Sequence, residues 1–220
     1  MKKVLIIIIA VALVFTVFKL ATGNTGETQP KTIKVQDIPA ELLSVKKTGI
    51  AANSFIDAFV EKVTDGDTVT VNYKGSHLKV RFLDIDTPES VKQGVPIQPY
   101  AKEASQFTKK ELLNNDVKLV FSKGLRDRYS RLLAYVFLKD GTFFNAELVR
   151  NGYARVEVIP PNTLYEDYFN NLQDQAIKDK IGFWGLPAGK QPFVKSGNGY
   201  YVPKYNLSTM STLIPYIIAG

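Results

Sequence analysis

From residue 80 to residue 90 the chain reads Val80-Arg81-Phe82-Leu83-Asp84-Ile85-Asp86-Thr87-Pro88-Glu89-Ser90. Its first half alternates apolar residues, which predicts a buried β-strand, and Arg81 interrupts that alternation with a cation. Pro88 restricts the residue before it to extended conformations, so the chain has to turn at Thr87. Asp86, the Thr87 carbonyl and Glu89 therefore lie near Arg81 at the end of a strand. This grouping indicates a chemical site rather than a plain loop.

Composition limits the kinds of chemistry that are open to the chain. Of its 220 residues, 45% are hydrophobic and 22% are charged, which is ordinary for a globular protein. A net charge of +7 favours a polyanionic partner such as nucleic acid or an anionic surface. The absence of cysteine excludes thiol nucleophiles, thiolate metal sites and disulfides. Because His77 is the single histidine and falls in a predicted hairpin, we expect any general base to be a carboxylate.

The order of predicted elements indicates a small barrel. Three strands joined by tight turns come first, and Asp65-Gly66 between apolar alternations is a strong hairpin signal. A helix separates them from two further strands, and two more helices follow. This layout is typical of an α+β, mainly β protein built on a five-stranded OB-type barrel with about three helices. The predicted strands cover 55–63, 68–73, 78–86, 117–121 and 132–138, and the predicted helices 100–115, 144–149 and 163–185, with Trp184 as a core residue.

The N-terminus predicts an export segment. A basic start, the uncharged run 4–18 and small residues after it are typical of a signal peptide. The run is shorter than the ~30 Å hydrocarbon core, although residues 20 and 21 would extend it if Lys19 reached towards the interface. Whether residues 1–23 are a cleaved signal or a membrane anchor stays open. We interpret residues 24–53 as a linker, 54–186 as the folded domain and 187–220 as a tail rich in glycine, proline and aromatic residues.

Several separated segments between residues 59 and 184 form an ordered set of motifs. The segments are Val63-Thr64-Asp65-Gly66-Asp67-Thr68, Arg81 with Asp86-Thr87-Pro88-Glu89, Pro99-Tyr100-Ala101-Lys102-Glu103-Ala104-Ser105, Lys123-Gly124, Asp127-Arg128-Tyr129-Ser130-Arg131-Leu132-Leu133-Ala134-Tyr135, Ala146-Glu147-Leu148-Val149-Arg150-Asn151-Gly152 and Phe183-Trp184. Together they resemble the staphylococcal nuclease (thermonuclease) family, in the order in which that family has them. The ordered set is far more specific than its parts, because an isolated Asp-Gly-Asp is common in ordinary turns.

The resemblance implies calcium-dependent hydrolysis of phosphodiester bonds in DNA and RNA, with products that carry 3′-phosphates. It also implies a role for each matching residue. By this resemblance the catalytic residues are Arg81, Glu89 and Arg131, the calcium ligands are Asp67, Asp86 and the Thr87 carbonyl, Asp65 is a nearby carboxylate that acts on the metal through water, and Arg128 and Tyr129 lie near the terminal phosphate of the substrate.

The residue types themselves suit this chemistry. Calcium binds about six to eight hard oxygen ligands, so two carboxylates and a carbonyl leave positions for water and a substrate phosphate. Attack on a phosphodiester builds negative charge on the equatorial oxygens, which two guanidinium groups can stabilise. Glu89 is then the remaining group that can orient or deprotonate the attacking water, and the sequence does not distinguish these two roles.

We therefore predict an exported, monomeric, calcium-dependent endonuclease that acts on DNA and RNA. It is secreted, or anchored to the outer face of the cell membrane through residues 4–22. Two alternatives stay open. One is a non-catalytic module on the same barrel that binds nucleic acid, and the other is a membrane-tethered scaffold that binds anionic polymers of the cell envelope.

Three departures from the family pattern affect substrate contacts. Residues 156–161 lack the tyrosines that stack on a base in the family, and such stacking contributes about 1–3 kcal/mol per base. The loop from residue 90 to residue 98 carries only Lys92 where relatives have several lysines. Ser130 stands where the family usually has glycine before the catalytic arginine, which predicts strain if this position has a positive φ.

Overall fold

The computed structural model describes residues 52–90, 94–197 and 199–204. In chain order its elements are β1 (Phe55–Val63), β2 (Thr68–Tyr73), β3 (Ser76–Phe82), β4 (Ile85–Asp86), α1 (Ala101–Leu112), β5 (Asp116–Val120), β6 (Leu132–Phe137), α2 (Phe144–Arg150), β7 (Arg155–Val156), α3 (Glu166–Lys178), two 3₁₀ turns (Gly182–Gly185 and Ala188–Lys190), β8 (Phe193–Lys195) and β9 (Tyr201–Pro203).

Five of the strands close into a barrel in the order β1-β2-β3-β6-β5, with β5 pairing back onto β1. Neighbouring strands are antiparallel except β3 and β6, whose pairing is parallel and joins Arg81 to Leu133. The long connection that a parallel pair requires contains α1 and β5. The predicted five-stranded barrel with three helices is confirmed, and the order of the elements along the chain is as expected.

The barrel encloses a core of aliphatic and aromatic side chains, because each strand directs alternate residues inward. A second, smaller core contains Trp184, which is 5% exposed and packs with Ala176, Phe183 and Phe193. The predicted core position of Trp184 is therefore correct. Representative fully buried residues of the main core are Val60, Val69, Val71, Val80, Phe82, Leu119, Ala134, Val136 and Phe144.

The two largest differences from the predicted bounds are at the ends of the third strand and of the last helix. The third strand ends at Phe82 instead of continuing to residue 86, because Asp84 has a φ of +61° and turns the chain before the short strand β4. The last helix ends at Lys178 instead of residue 185, because Lys180 has a φ of +56° and turns the chain out of the helix. Gly182 has a φ of +58°, and a Cβ there would lie 2.3 Å from the Gly152 carbonyl oxygen, so only glycine fits this close approach. The chain continues as a 3₁₀ turn that carries Trp184.

The described part of the predicted C-terminal tail packs against the second core. Strands β8 and β9 form an antiparallel hairpin, and Phe193 at its start is 1% exposed. The predicted signal or anchor segment and nearly all of the predicted linker lie outside the described residues, as do residues 205–220. Within the described ranges, no helix is long and apolar enough to cross a membrane.

Candidate active site

Asp67 joins the two turns that the sequence singled out. It lies in the turn between β1 and β2, and its Oδ2 atom accepts hydrogen bonds from the Thr87 backbone N–H at 2.8 Å and from the Thr87 hydroxyl at 3.0 Å. Gly66 permits this contact, because a Cβ at that position would lie 2.8 Å from the Thr87 side chain. The first hairpin and the acidic turn after β3 are thus held together by Asp67.

Asp65 lies beside Asp67 in the same turn. Its Oδ1 atom accepts a hydrogen bond from the Asp67 backbone N–H at 3.2 Å. Burial and the negative charge of Asp67 raise the pKa of Asp65 to about 7. The carboxylates of Asp65 and Asp67 therefore repel each other where little water screens them. A positive charge bound beside this turn would be electrostatically favourable.

Arg81 lies at the centre of the cluster. Its Nε atom is 3.2 Å from Asp67 Oδ1, and its Nη2 atom is 3.2 Å from Asp86 Oδ1. Its Nη1 atom donates to the carbonyls of Phe82 and Ile85, both at 2.7 Å. Burial lowers the pKa of Arg81, but the charges of Asp67 and Asp86 outweigh this effect and leave the pKa above its usual value. Arg81 thus fixes the turn after β3 and both predicted calcium-binding carboxylates.

Asp86 has a second cationic partner that the sequence did not identify. Strand β4 pairs with β7 so that Asp86 lies opposite Arg155, and the Arg155 Nη2 atom is 2.9 Å from Asp86 Oδ2. Arg155 also contacts Glu157, whose Oε2 atom is 3.6 Å from Arg81 Nη2. Burial and the charge of Glu157 raise the pKa of Asp86 to about 7. The alternation of Arg155 and Glu157 was visible in the sequence, but the pairing of β4 with β7 was not.

Arg131 approaches the cluster from the loop before β6. Its Nη1 atom donates to Thr68 Oγ1 at 3.4 Å, and this hydroxyl donates to Asp67 Oδ1 at 3.1 Å. Asp127 orients Arg131 by accepting from its Nε atom at 2.6 Å and from its backbone N–H at 3.0 Å. Arg81 and Arg131 are therefore both connected to Asp67, one directly and one through Thr68.

The loop that carries Arg131 also exposes two predicted phosphate contacts. Tyr129 is 65% exposed, and the guanidinium groups of Arg128 and Arg131 lie 4.9 Å and 5.6 Å from its ring centre. Ser130 has a φ of +62°, so the strain predicted for a residue other than glycine is present. The Ser130 carbonyl accepts a hydrogen bond from Arg126 at 2.6 Å, which holds the turn.

Glu89 follows the acidic turn and is positioned by Gln98. The Glu89 backbone N–H donates to Gln98 Oε1 at 2.7 Å, and the Gln98 backbone N–H donates to the Glu89 carbonyl at 3.0 Å. The Gln98 side chain also donates to the Pro192 carbonyl at 3.1 Å. Gln98 thus links the predicted water-activating residue to the segment that leads into β8. Lys92, in the same loop, lies outside the described residues.

The structure brings Asp65, Asp67, Asp86, Thr87, Arg81 and Arg131 into one connected cluster, with Glu89 two residues beyond Thr87. Arg128 and Tyr129 lie on its exposed side, in the loop that holds Arg131. In the described part of the chain, no three acidic or histidine side chains are arranged as a ready-made metal site. Asp67 and Asp86 instead direct their oxygens at Arg81, Arg155 and Thr87.

Comparison with known proteins identifies the family of this chain. A thermonuclease of Staphylococcus intermedius is 36% identical over 186 residues, which cover 84% of this chain and 99% of that protein. The chain belongs to the staphylococcal nuclease family. The family profile described as "Staphylococcal nuclease homologue" matches residues 79–185. A thermonuclease of Staphylococcus hyicus is 44% identical over 125 residues (57% of this chain and 73% of that protein), and endonuclease YncB of Bacillus subtilis is 33% identical over 196 residues (84% and 92%).

Proposed function

We propose that this staphylococcal nuclease homologue is a calcium-dependent nuclease that hydrolyses phosphodiester bonds in DNA and RNA and leaves 3′-phosphates. The single observation that carries the proposal is the connection of Arg81 and Arg131 to one carboxylate, Asp67. Two guanidinium groups beside buried acids suit a reaction in which a phosphate gains negative charge. The names of its relatives, two thermonucleases and an endonuclease, support a nuclease.

The oxygen donors present fit a calcium ion. Asp67, Asp86 and the Thr87 carbonyl would hold it, and Asp65 would act on it through water. All are hard oxygen donors, which calcium prefers. Among the described residues, four carboxylates (Asp65, Asp67, Asp86 and Glu157) lie in the cluster around two guanidinium groups, those of Arg81 and Arg155, so an added cation is electrostatically favoured. When bound, the ion would polarise the phosphate and offset its developing charge.

The chain's own residues supply the remaining steps. Arg131 donates to the phosphate oxygens through its Nη atoms, because Asp127 occupies only its Nε atom and the contact of Nη1 with Thr68 is long, at 3.4 Å. Arg81 holds Asp67 and Asp86 in place and takes part in phosphate binding through its Nη2 atom. Glu89 accepts a proton from the attacking water or orients that water, in a position set by Gln98. A group in this role contributes typically 10²–10⁴-fold to the rate.

The surface around the site suits a polyanion. The net charge of +7 favours association with nucleic acid. Exposed Tyr129, with Arg128 and Arg131 against its ring, offers a flat face and cations beside the cluster. Ile159, which is 62% exposed, lies in the stretch that lacks base-stacking tyrosines. We expect weak base preference, because base stacking at that stretch would be replaced by aliphatic contact.

The N-terminal sequence supports a proposal about where in the cell the protein acts. We propose that residues 1–23 export the protein and that it acts outside the cytoplasm, either secreted or attached to the outer face of the cell membrane. We further propose that it acts as a monomer. Cell fractionation with an antibody against the folded domain tests the location, and light scattering of the purified protein tests the monomer.

Cleavage assays test the proposed activity. Purified full-length protein is offered single-stranded DNA and RNA oligonucleotides with calcium, or with a chelator. We expect cleavage with calcium and none with chelator. Glu89→Gln should reduce turnover by roughly 10²–10⁴-fold, whereas Glu147→Gln, a matched change at a glutamate paired with Arg150, should leave it unchanged.

The chemical ends of the products test the direction of cleavage. Products with 3′-phosphates are not extended by a DNA polymerase until a 3′-phosphatase has removed the phosphate. Extension without phosphatase treatment would contradict this part of the proposal. Binding of the oligonucleotide without any cleavage in calcium would instead support the non-catalytic module.

A further inference from the structure

Glu157 closes a ring of alternating charges around the site. Arg81 contacts Asp86 at 3.2 Å, Asp86 contacts Arg155 at 2.9 Å, Arg155 contacts Glu157, and Glu157 Oε2 lies 3.6 Å from Arg81. The Glu157 backbone N–H donates to the Asp84 carbonyl at 3.0 Å, which fixes where its side chain begins. A fourth carboxylate is thus built into the cluster, from a stretch where the family pattern has base-stacking aromatic residues.

The hydrogen-bonding capacity of Arg81 is almost fully used by the protein. Its Nε atom pairs with Asp67, and its Nη1 atom donates to two backbone carbonyls. On Nη2, one contact is with Asp86 and the other is the long contact with Glu157. At 3.6 Å this last contact is beyond good hydrogen-bond length. Glu157 is therefore the most weakly held partner of Arg81, and it lies beside the Nη2 atom, where a phosphate oxygen could bind instead.

The exposed fractions of the carboxylate side chains around Arg81 also point to Glu157. The Glu157 side chain is 32% exposed, compared with 7% for Asp67 and 20% for Asp86. Of the three carboxylates around Arg81, Glu157 is the one that a ligand arriving from solvent can most readily displace. Arg155 would retain it after displacement, because Arg155 is itself held by Asp86 and by the Tyr201 carbonyl at 2.8 Å.

We propose that Glu157 is a built-in competitor for the substrate phosphate at Arg81. Carboxylate and phosphate are alternative acceptors for the same guanidinium N–H groups, so the backbone of a nucleic acid strand binds Arg81 by displacing Glu157 towards Arg155. This competition lowers affinity for the substrate without removing any group that acts on it. The inference rests on the proposed function, since it assumes that the ligand of Arg81 is a phosphodiester.

Binding of a fluorescent single-stranded DNA oligonucleotide, followed by anisotropy in the presence of a chelator, tests this inference. The chelator prevents turnover and removes divalent ions from the comparison. We compare the full-length wild type with Glu157→Gln, with Glu157→Asp and with the matched control Glu147→Gln. Glu147 is also a glutamate paired with an arginine, and its side chain is 22% exposed. Thermal unfolding of each variant shows that it is folded.

We expect Glu157→Gln to bind the oligonucleotide about fivefold more tightly, the scale of one partly exposed charged contact that no longer has to be broken. Glu157→Asp keeps the charge but is too short to stay near Arg81, so it should bind nearly as tightly as Glu157→Gln. If Glu147→Gln tightens binding equally, or if Glu157→Asp behaves as the wild type does, the effect is one of net charge and the competition is refuted. Unchanged binding in Glu157→Gln refutes it as well.

Steady-state cleavage with calcium separates this inference from the proposed function. For Glu157→Gln we expect a lower KM and a kcat that does not fall. If the wild type cleaves DNA but KM is unchanged in Glu157→Gln, the inference fails and the nuclease stands. If no variant cleaves, the nuclease fails, and the anisotropy comparison still decides whether Glu157 competes with a phosphate ligand. Should Glu157→Gln not fold, Glu157→Asp carries both measurements.

Discussion

Removal of the Arg81 guanidinium should destabilise the fold as well as the site. Arg81→Met keeps most of the length of the side chain and deletes its charge and all of its hydrogen bonds. Two carboxylates, the buried Asp67 and the partly buried Asp86, each lose a partner at 3.2 Å, and two backbone carbonyls lose a donor at 2.7 Å. Because the Arg81 side chain is only 12% exposed, water replaces few of these contacts.

The expected loss can be estimated from this geometry. Removal of one partner of a buried ion pair typically costs about 3–5 kcal/mol, because a charge is left uncompensated. We expect Arg81→Met to lower the free energy of unfolding by about 3–5 kcal/mol near pH 7. Arg150→Met is the matched control, since Arg150 is more exposed, at 33%, and pairs with the single partly exposed carboxylate of Glu147. A pair of that kind contributes about 1 kcal/mol or less.

Urea unfolding, followed by Trp184 fluorescence in the presence of a chelator, measures both variants. Added calcium should restore part of the stability of Arg81→Met, because an ion bound to the folded state stabilises it and would replace the positive charge that Asp67 and Asp86 have lost. If Arg81→Met loses less than about 1 kcal/mol, the account of Arg81 as the central link of the cluster is wrong.

Three further predictions concern the residues that support the site. Partial burial opposes ionisation of Asp127, but hydrogen bonds from Arg131 lower its pKa below the usual 3.8. Asp127→Asn should therefore lower the free energy of unfolding by about 1–2 kcal/mol near neutral pH. Urea unfolding at several pH values should show that this difference from the wild type shrinks as the pH falls below about 4. Ser130→Gly should raise the unfolding free energy by up to about 1 kcal/mol, because glycine accepts the φ of +62° without strain; a loss of stability would show that the serine is not strained. Gln98→Met should lower kcat about tenfold with little change in KM, because Glu89 loses its positioning bond, while Gln98→Glu keeps the acceptor for the Glu89 N–H and should retain most of the activity; equal losses in both variants would argue against this role.

Local patterns predicted most of the barrel. Alternation of apolar residues predicted the positions of β1 and β2, and the Asp65-Gly66 turn marked the first hairpin. The break after Phe82 was not predictable from alternation, because it depends on Asp84 adopting a left-handed conformation while Arg81 binds the freed carbonyls. The last helix ends because Lys180 adopts a left-handed conformation. The 3₁₀ turn after it depends on the close approach of Gly182 to Gly152, which is thirty residues away in the sequence.

The candidate site was predictable where its residues are neighbours in the sequence or belong to the family motifs. The contacts that join these residues to one another were not predictable from the sequence. Arg155 and Glu157 join the cluster only because β4 pairs with β7, and two-residue strands leave too weak a pattern to be recognised in advance. The hydrogen bond from the Gln98 side chain to the Pro192 carbonyl likewise joins residues that are far apart in the sequence. Long-range pairing of short segments is therefore what the sequence alone does not reveal.

We propose that Asp67 and Asp86, flanked by Arg81 and Arg131, form a calcium-dependent site for phosphodiester hydrolysis. The most direct test is the rate of cleavage of single-stranded DNA against free calcium concentration, for wild type and for Asp86→Asn. We predict a saturating rise for the wild type and a loss of at least about a hundredfold for Asp86→Asn at the same calcium concentration. Cleavage that does not depend on calcium, or equal rates for the two proteins, would contradict the account.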